Sequence, residues 1–471
     1  MAKERESLEV QSEKVVLAAV RLPDSSYDQR DPFGELRALA EQAGAAVAGE
    51  LQQRLERPIA GTYMGVGKLE ELKTLCAELG AKTIIFDHDL SPRQINNIEK
   101  ATLCKVVDRS ELILDIFAGR ATTNEAKLQV ELAQLEYTAP RIRAMWSHLE
   151  RISGGVGSRG PGEMQIEIDR RLVADRKVAL KRDLEVIQAR RRREVQARKR
   201  EHFTVGIVGY TNAGKSTLFN SLTAGGAYAD NRLFATLVTR TRQWDLGQGI
   251  GVMLSDTVGF VRDIPHHLVA SFKATLEEAT HADLLLIVLD ISDPAAELHY
   301  STVTGTLDEL MEEVARTETG QWKPPPRVLL LNKADRLQDN RDVLVWQRKV
   351  PGAIPLCAFA GAAGGPSPMG QEELRQVVMA HAQGGVETFD VTVPLEDAKT
   401  ISLIERQGQV VSREYAMDAA PPTVTLRARI GRRQLAALKS AGARLDLADE
   451  RGERVHLSPD REEEKTGWGR G

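Results

Sequence analysis

The feature that most constrains this chain is a glycine-bounded loop between an apolar run and a helical pattern. Residues 205–208 predict a buried strand, which leads into Gly209-x4-Gly214-Lys215-Ser216. This spacing is the pattern of the phosphate-binding P-loop. Its two glycines let backbone N–H groups curl around a β-phosphate, beside the positive N-terminus of the helix that follows. The loop therefore predicts an α/β nucleotide-binding domain.

Five positions are predicted to bind the phosphates and a Mg²⁺ cofactor. Lys215 is expected to reach the β- and γ-phosphate oxygens, and Ser216 to give its hydroxyl to Mg²⁺. Asp256, in Asp256-Thr257-Val258-Gly259, follows a predicted strand and is expected to hold Mg²⁺ through water, while the Gly259 N–H meets the γ-phosphate. Thr236 can complete the Mg²⁺ shell only when a γ-phosphate is present, which makes its loop a switch.

Base recognition is predicted from Asn332-Lys333-Ala334-Asp335, which follows the apolar run 328–331. The Asp335 carboxylate can accept hydrogen bonds from N1–H and the exocyclic amine of guanine. Adenine offers no such donor pair, and an unpaired buried carboxylate is costly. Asn332 is expected to tie this loop to the P-loop, and the stem of Lys333 to lie on the base. The three motifs, in this order at strand ends, predict binding of GTP and GDP.

The complete set of predicted nucleotide contacts spans five segments. It comprises Gly209, Tyr210, Thr211, Asn212, Ala213, Gly214, Lys215, Ser216, Thr217, Phe234, Ala235, Thr236, Leu237, Val238, Asp256, Thr257, Val258, Gly259, Asn332, Lys333, Ala334, Asp335, Cys357, Ala358 and Phe359. In the last segment a Ser-Ala pair commonly contacts guanine O6, and here the Ala358 N–H can still serve. Phe260 stands where many GTPases carry a glutamine that orients the attacking water. We therefore assign no catalytic residue and expect slow intrinsic hydrolysis, accelerated by a partner or a rearranged loop.

The order of strand-like and helical patterns predicts a multidomain α/β protein. Helical periodicity is expected over 35–48, and Gly65-Val66-Gly67-Lys68, which lacks P-loop spacing, is expected to form a tight turn. We predict an α/β domain with a small parallel sheet at 1–120, followed by a helical hairpin at 121–200 with a glycine-rich loop at 153–163. A doubly wound GTPase domain is expected at 201–385. A small α+β domain at 386–460 and a disordered tail at 461–471 complete the chain.

The second helix of the hairpin is the most basic part of the chain. Residues 169–200 hold thirteen Arg and Lys against five Asp and Glu, a balance of +8, whereas the whole chain carries −4. Such a helix can be a solvated surface or bind a phosphate backbone, and the glycine-rich loop before it can be a linker or a presented loop. The candidate RNA-binding residues are Arg159, Arg170, Arg171, Arg190, Arg191, Arg192 and Arg193.

Composition limits the other function classes. The overall charge of −4 argues against nucleic-acid attraction by the whole surface. The three cysteines show no metal-ligand spacing, which favours reduced thiols in a cytoplasmic protein. Adjacent histidines such as His266-His267 diverge on most backbones, so we expect no metal there. With no signal-peptide region and no run of about 18 apolar residues, we expect no membrane anchor. We also expect the protein to be monomeric.

A set of short segments in a fixed order resembles the HflX-type GTPases, the ribosome-associated branch of the Obg-HflX-like class. These segments are Thr62-Tyr63-Met64-Gly65-Val66-Gly67-Lys68, Leu90-Ser91-Pro92-Arg93-Gln94, Val107-Asp108-Arg109, Ile113-Leu114-Asp115-Ile116-Phe117-Ala118, Gln129-Val130-Glu131-Leu132-Ala133-Gln134-Leu135, Gly160-Pro161-Gly162-Glu163, Asp169-Arg170-Arg171 and Asp256-Thr257-Val258-Gly259-Phe260. Phe260 is itself part of that family pattern. Cys357 and the glycine-rich stretch 361–370 depart from it.

The resemblance implies GTP-dependent binding to the large ribosomal subunit and its rRNA, with splitting of stalled ribosomes. The hairpin would carry the glycine-rich loop towards the rRNA. Two other functions remain open at this point. One is a GTPase acting on another structured RNA, in ribosome assembly or RNA remodelling. The other is a nucleotide-gated interaction protein at a membrane or protease, against which the absence of an amphipathic anchor or lipidation motif counts.

Overall fold

The computed structural model describes most of the chain, in segments. These are residues 13–146, 161–223, 239–262, 279–317, 322–358, 369–384, 386–440, 442–449 and 452–455, without 24, 26, 248 and 249. The predicted tail, the pair His266-His267, most of the stretch 361–370 and residues 153–160 of the glycine-rich loop lie outside them. Within the described segments, none of the helices combines the length and apolarity that a bilayer crossing requires.

The N-terminal sheet is parallel, as the sequence predicts. Its strands, in the spatial order β2-β1-β3-β4, are β1 (Lys14–Arg21), β2 (Ala46–Arg54), β3 (Thr83–Phe86) and β4 (Lys105–Val107). The helices that accompany it are α1 (Gly34–Gln42), α2 (Val66–Leu79), α3 (Pro92–Thr102) and α4 (Arg109–Arg120). Strand β1 is buried along almost its whole length, so it forms the centre of this unit.

Two local predictions in this unit need correction. The helix expected over 35–48 ends at Gln42, and the chain from Ala46 onward is β2. The cause is Gly44, whose φ of +90° lies in the left-handed region where a helix cannot continue. The turn expected at Gly65-Val66-Gly67-Lys68 is the first turn of α2, with only Gly65 outside the helix as its N-cap.

The hairpin consists of α5 (Asn124–Trp146) and α6 (Pro161–Glu201). The two helices pack through a small apolar cluster that joins Leu132 to Leu180 and Leu184. Helix α6 starts at Pro161, eight residues before the predicted start at 169, because proline has no N–H to lose and fits the first turn of a helix. The last part of the predicted glycine-rich loop is therefore helical.

The nucleotide-binding sheet is six-stranded and parallel except at one edge. Its order is β10-β9-β8-β5-β7-β6, formed by β5 (Phe203–Gly209), β6 (Arg240–Gly247), β7 (Ile250–Asp256), β8 (Leu284–Asp290), β9 (Arg327–Asn332) and β10 (Ile354–Pro355). Only β6 runs antiparallel, against β7. The helices are α7 (Lys215–Leu222), α8 (Ala296–Thr317), α9 (Arg341–Lys349) and α10 (Gln371–Gln383). Chain order reverses direction around β5, and such a switch point is where α/β sheets bind ligands.

The C-terminal sheet is antiparallel, in the order β12-β13-β11-β14. Its elements are β11 (Val386–Pro394), α11 (Ala398–Gln407), β12 (Gln409–Ala416), β13 (Thr423–Gly431), α12 (Arg432–Ser440) and β14 (Asp446–Ala448). This βαββαβ succession with that order is the ferredoxin-like arrangement. The predicted small α+β unit is therefore confirmed.

Candidate nucleotide-binding site

The P-loop follows directly from the end of β5. Gly214 has a φ of +97°, and a Cβ at this position would collide with Nδ2 of Asn332, so only glycine fits. Helix α7 begins at the next residue, Lys215, so its free N–H groups face the loop. The loop is thus a concave turn of backbone at the positive end of a helix, which is a binding site for phosphate groups.

Lys215 is held inside this loop. Its Nζ donates to the carbonyl oxygen of Tyr210 at 2.6 Å, and the side chain is buried. Burial lowers the pKa of Lys215 to about 8, although the Asp256 carboxylate acts in the opposite direction. A phosphate at this place would meet a desolvated cation that already points into the loop.

The residues predicted to hold Mg²⁺ lie side by side. The Ser216 hydroxyl donates to Oδ2 of Asp256 at 2.8 Å, at the start of α7 and the end of β7 respectively. A hydroxyl and a buried carboxylate are the hard oxygen donors that Mg²⁺ takes when phosphate oxygens and water complete its shell, so this pair fits the ion. The third predicted ligand, Thr236, lies outside the described residues, together with Phe234, Ala235, Leu237 and Val238.

Asn332 joins the base-recognition loop to the P-loop. Its Nδ2 donates to the carbonyl oxygen of Ala213 at 2.7 Å, and its Oδ1 accepts from the Ala358 N–H at 3.0 Å. From the sequence we expected the Ala358 N–H to contact guanine O6, whereas in the structure it donates to the Asn332 side chain. Asp335 is exposed in a short 3-10 turn, where its carboxylate is accessible to a base. Phe359 lies outside the described residues.

Sequence reasoning missed one member of this loop, Asp290. The Nζ of Lys333 pairs with its Oδ2 at 2.6 Å and also donates to the carbonyl oxygen of Asn212 at 2.9 Å. These two contacts stretch the Lys333 side chain from the base loop across to the P-loop. Its position in the sequence could have revealed Asp290, because this residue ends strand β8 on the same edge of the sheet as the three motifs.

Phe260 cannot take part in water activation. Its side chain is 1% exposed and lies in the apolar cluster that contains Val208 and Leu289. Its backbone, in contrast, touches the P-loop, because the Thr211 N–H donates to the Phe260 carbonyl oxygen at 2.7 Å and the Phe260 N–H donates to Gly209 at 3.0 Å. The segment after Gly259 is therefore bound to the P-loop by its main chain.

Six of the seven candidate RNA-binding arginines belong to α6, which precedes the strand that carries the P-loop. Arg170, Arg171, Arg190 and Arg193 are exposed. Arg159 and the side chains of Arg191 and Arg192 fall outside what the structure describes.

The sheet order and these three loops define a P-loop GTPase, an enzyme that hydrolyses GTP. The chain matches three protein families in succession: "GTP-binding GTPase N-terminal" over residues 30–118, "GTP-binding GTPase Middle Region" over 120–200, and "50S ribosome-binding GTPase" over 204–333.

Curated relatives match over most of their length. The GTPase HflX of Magnetococcus marinus is 42% identical over 381 residues, which cover 80% of this chain and 84% of the relative. The GTPase HflX of Escherichia coli K12 is 39% identical over 388 residues, covering 81% and 86%. That of Caldanaerobacter subterraneus is 37% identical over 416 residues, covering 87% and 90%. The chain belongs to the HflX family of GTPases.

Proposed function

We propose that this GTPase binds the large ribosomal subunit in a GTP-dependent way and splits stalled ribosomes into subunits. Two facts support the proposal. The family that matches the nucleotide-binding domain is described as a 50S ribosome-binding GTPase. The chain also presents a basic helix, α6, although its total charge is −4.

The observation that carries the proposal is the position of α6. Its arginines Arg170, Arg182 and Arg190 are exposed, while Leu180 and Leu184 pack against α5. Helix α6 ends at Glu201 and β5 begins at Phe203, so the basic helix leads into the strand that carries the P-loop. A phosphate backbone bound along α6 would release counterions, which supplies affinity without base recognition.

The nucleotide site would work through the chain's own groups in the following way. The P-loop N–H groups and Lys215 hold the β- and γ-phosphates, and Asp335 selects guanine. Bound Mg²⁺, held by Ser216 and, through water, by Asp256, would neutralise charge on the β- and γ-phosphate oxygens. Because Phe260 is buried and apolar, the group that orients the attacking water must come from a partner or from a moved loop. Ribosome binding would supply that activation.

Density-gradient sedimentation of intact ribosomes tests this proposal. With a non-hydrolysable GTP analogue the protein should convert intact ribosomes to subunits and migrate with the large one, and with GDP it should do neither. Lys215→Ala, which loses the phosphate contact, serves as the negative control. A protein that binds structured RNA equally well without ribosomes, and leaves ribosomes intact, would favour the alternative of a GTPase acting on another RNA.

A variant with a shortened 153–163 loop separates binding from splitting. If the loop enters a functional centre of the ribosome, the variant should co-migrate with the large subunit but fail to split ribosomes. Equal loss of both activities would make the loop an anchor. Unchanged splitting would make it a linker between α5 and α6.

A further inference from the structure

The segment around Gly259 is buried against the N-terminal sheet. Val258 and Val261 belong to the same apolar cluster as Leu17, Phe33 and Ile85, and all five side chains are at most 7% exposed. A segment predicted to meet the γ-phosphate thus contributes to the core of a different structural unit. Any movement of this segment must expose apolar surface, which costs free energy.

A buried charge network fixes the end of this segment. The Nη2 of Arg262 lies 3.0 Å from Oδ2 of Asp87, and its Nε lies 3.6 Å from Oε2 of Glu35. Arg109 pairs with both carboxylates at 2.8 Å and also donates to the Arg262 carbonyl oxygen at 3.1 Å. Arg262 is therefore held by its side chain and by its main chain.

Tyr210 connects this network to the P-loop. Its hydroxyl donates to Oε1 of Glu35 at 2.7 Å and accepts from the Arg262 N–H at 2.9 Å. Its ring stacks on His299 with 3.9 Å between centroids, and its carbonyl oxygen accepts from Lys215. One residue of the phosphate-binding loop thus contacts a carboxylate of the N-terminal unit.

The charges in the network are unequal in number. Three guanidinium groups, those of Arg21, Arg109 and Arg262, face two carboxylates, those of Asp87 and Glu35. Burial by itself raises the pKa of both carboxyls, but the neighbouring guanidinium groups outweigh it and hold each pKa below its ordinary value. If Arg262 leaves, two cations remain with two anions. Arg21 and Arg109 would still pair with Asp87 and Glu35. The departure of Arg262 therefore leaves no uncompensated charge buried, and the cost of such a charge is avoided.

The docked segment packs closely against the P-loop. A Cβ built on Gly259 would lie 2.9 Å from Lys215 Nζ and 2.8 Å from Thr211 Cγ2. A phosphate oxygen shared by Lys215 and the Gly259 N–H needs about 2.8 Å to each donor, and the rest of the phosphate group needs more room. GDP, which lacks the γ-phosphate, makes no such demand on the segment.

We propose that Tyr210 and Glu35 determine how strongly the site discriminates between GTP and GDP. They hold Arg262, and through it Gly259 and Phe260, in the position that excludes the γ-phosphate. Binding of GTP must displace this segment from the N-terminal sheet, so part of the binding free energy is spent on undocking. The inference goes beyond ribosome binding and concerns the nucleotide alone.

Nucleotide affinities of Tyr210→Phe test the proposal on the full chain. The substitution keeps the ring on His299 but removes both hydrogen bonds of the hydroxyl. We expect the Kd of an imido-bridged GTP analogue to fall about five- to tenfold, while the Kd of GDP changes less than about twofold. Arg37→Gln is the matched control, since Arg37 pairs with Asp31 and Glu50 at the surface of the same unit and should leave both affinities unchanged.

Glu35→Gln provides an independent variant in case Tyr210→Phe does not fold. It leaves three guanidinium groups around one carboxylate, which favours the departure of Arg262, and it should shift the GTP-to-GDP affinity ratio in the same direction. An equal loss of affinity for the GTP analogue and for GDP would show that the network only shapes the nucleotide-binding site. Unchanged affinities in a folded variant would show that it does not hold the segment. Either result overturns the proposal.

Discussion

The side-chain amide of Asn332 lies 2.7 Å from the carbonyl oxygen of Ala213 and joins two loops that are 119 residues apart in the chain. Ala213 belongs to the P-loop, and Asn332 begins the loop that carries Asp335, the residue proposed to recognise the base. The same amide accepts from the Ala358 N–H at 3.0 Å, which brings a third loop to the site. The P-loop and the loop proposed for base recognition are therefore supported by the same side chain.

We propose that Asp335 determines base specificity. Asp335→Asn should lower the affinity for GTP and raise the affinity for xanthosine triphosphate. The asparagine amide donates a hydrogen bond where the carboxylate accepted one, and xanthine presents an oxygen at that position. Competition binding with both nucleotides measures the change. Asn332→Ala is the companion variant, since loss of the support should weaken both nucleotides alike. If the Asp335→Asn protein still preferred GTP, Asp335 would not be the residue that recognises the base.

The buried Lys215 predicts a pH dependence of binding. Burial lowers its pKa to about 8, so the ammonium group is charged below this pH and loses its proton above it. The phosphate contact needs the charged form. We expect GTP affinity in the free protein to be about fourfold weaker at about pH 8.5 than at about pH 6.5. Titration calorimetry over this range measures it, and an affinity that does not decline would contradict the burial argument.

The parts of the site that sequence predicts are those fixed by short motifs at strand ends. Gly214 and Lys215 lie in the loop that begins where strand β5 ends at Gly209, and Asn332 is the last residue of strand β9. The contact between Glu35 and Tyr210 could not be predicted in this way. The two residues are 175 positions apart, and a single long-range pair leaves no periodic pattern.

The errors in the fold have local causes. The helix prediction over 35–48 counted apolar spacing across Gly44 and did not allow for the left-handed turn there. Strand β12 carries no sequence pattern that would predict a strand, because seven of its eight residues are exposed and it lacks an apolar alternation. The start of α6 at Pro161 was missed because the surrounding glycines outweighed the proline signal.

Phe260→Ala should leave basal GTP turnover in place, because the side chain is buried in an apolar cluster. The variant should lose about 3–5 kcal/mol of unfolding free energy, the usual cost of such a truncation. Single-turnover hydrolysis, measured per folded molecule, reports the effect on GTP turnover, and thermal unfolding reports the effect on stability. Leu307→Ala, in the same cluster but on α8, is the control for stability. Loss of ribosome-stimulated turnover with fold and nucleotide binding intact would give Phe260 a role that the structure does not explain.

The basic helix predicts a steep dependence of ribosome binding on salt. Changing residues 190–193 from arginine to glutamine removes four of the thirteen positive charges between 169 and 200. Ribosome affinity should fall and the slope of its logarithm against the logarithm of salt concentration should flatten, by up to about 0.9 per lost phosphate contact. GTP affinity should not change, since the nucleotide site is formed by other elements. An unchanged slope would make α6 a solvated surface.

We propose that the nucleotide state controls association with the large ribosomal subunit, and a pelleting assay measures this association. The protein is centrifuged with purified large subunits in the presence of a non-hydrolysable GTP analogue, GDP or no nucleotide, at one salt concentration. We predict that most of the protein pellets with the analogue and that little pellets in the other two conditions. Equal pelleting in all three conditions, or none in any, would contradict the claim.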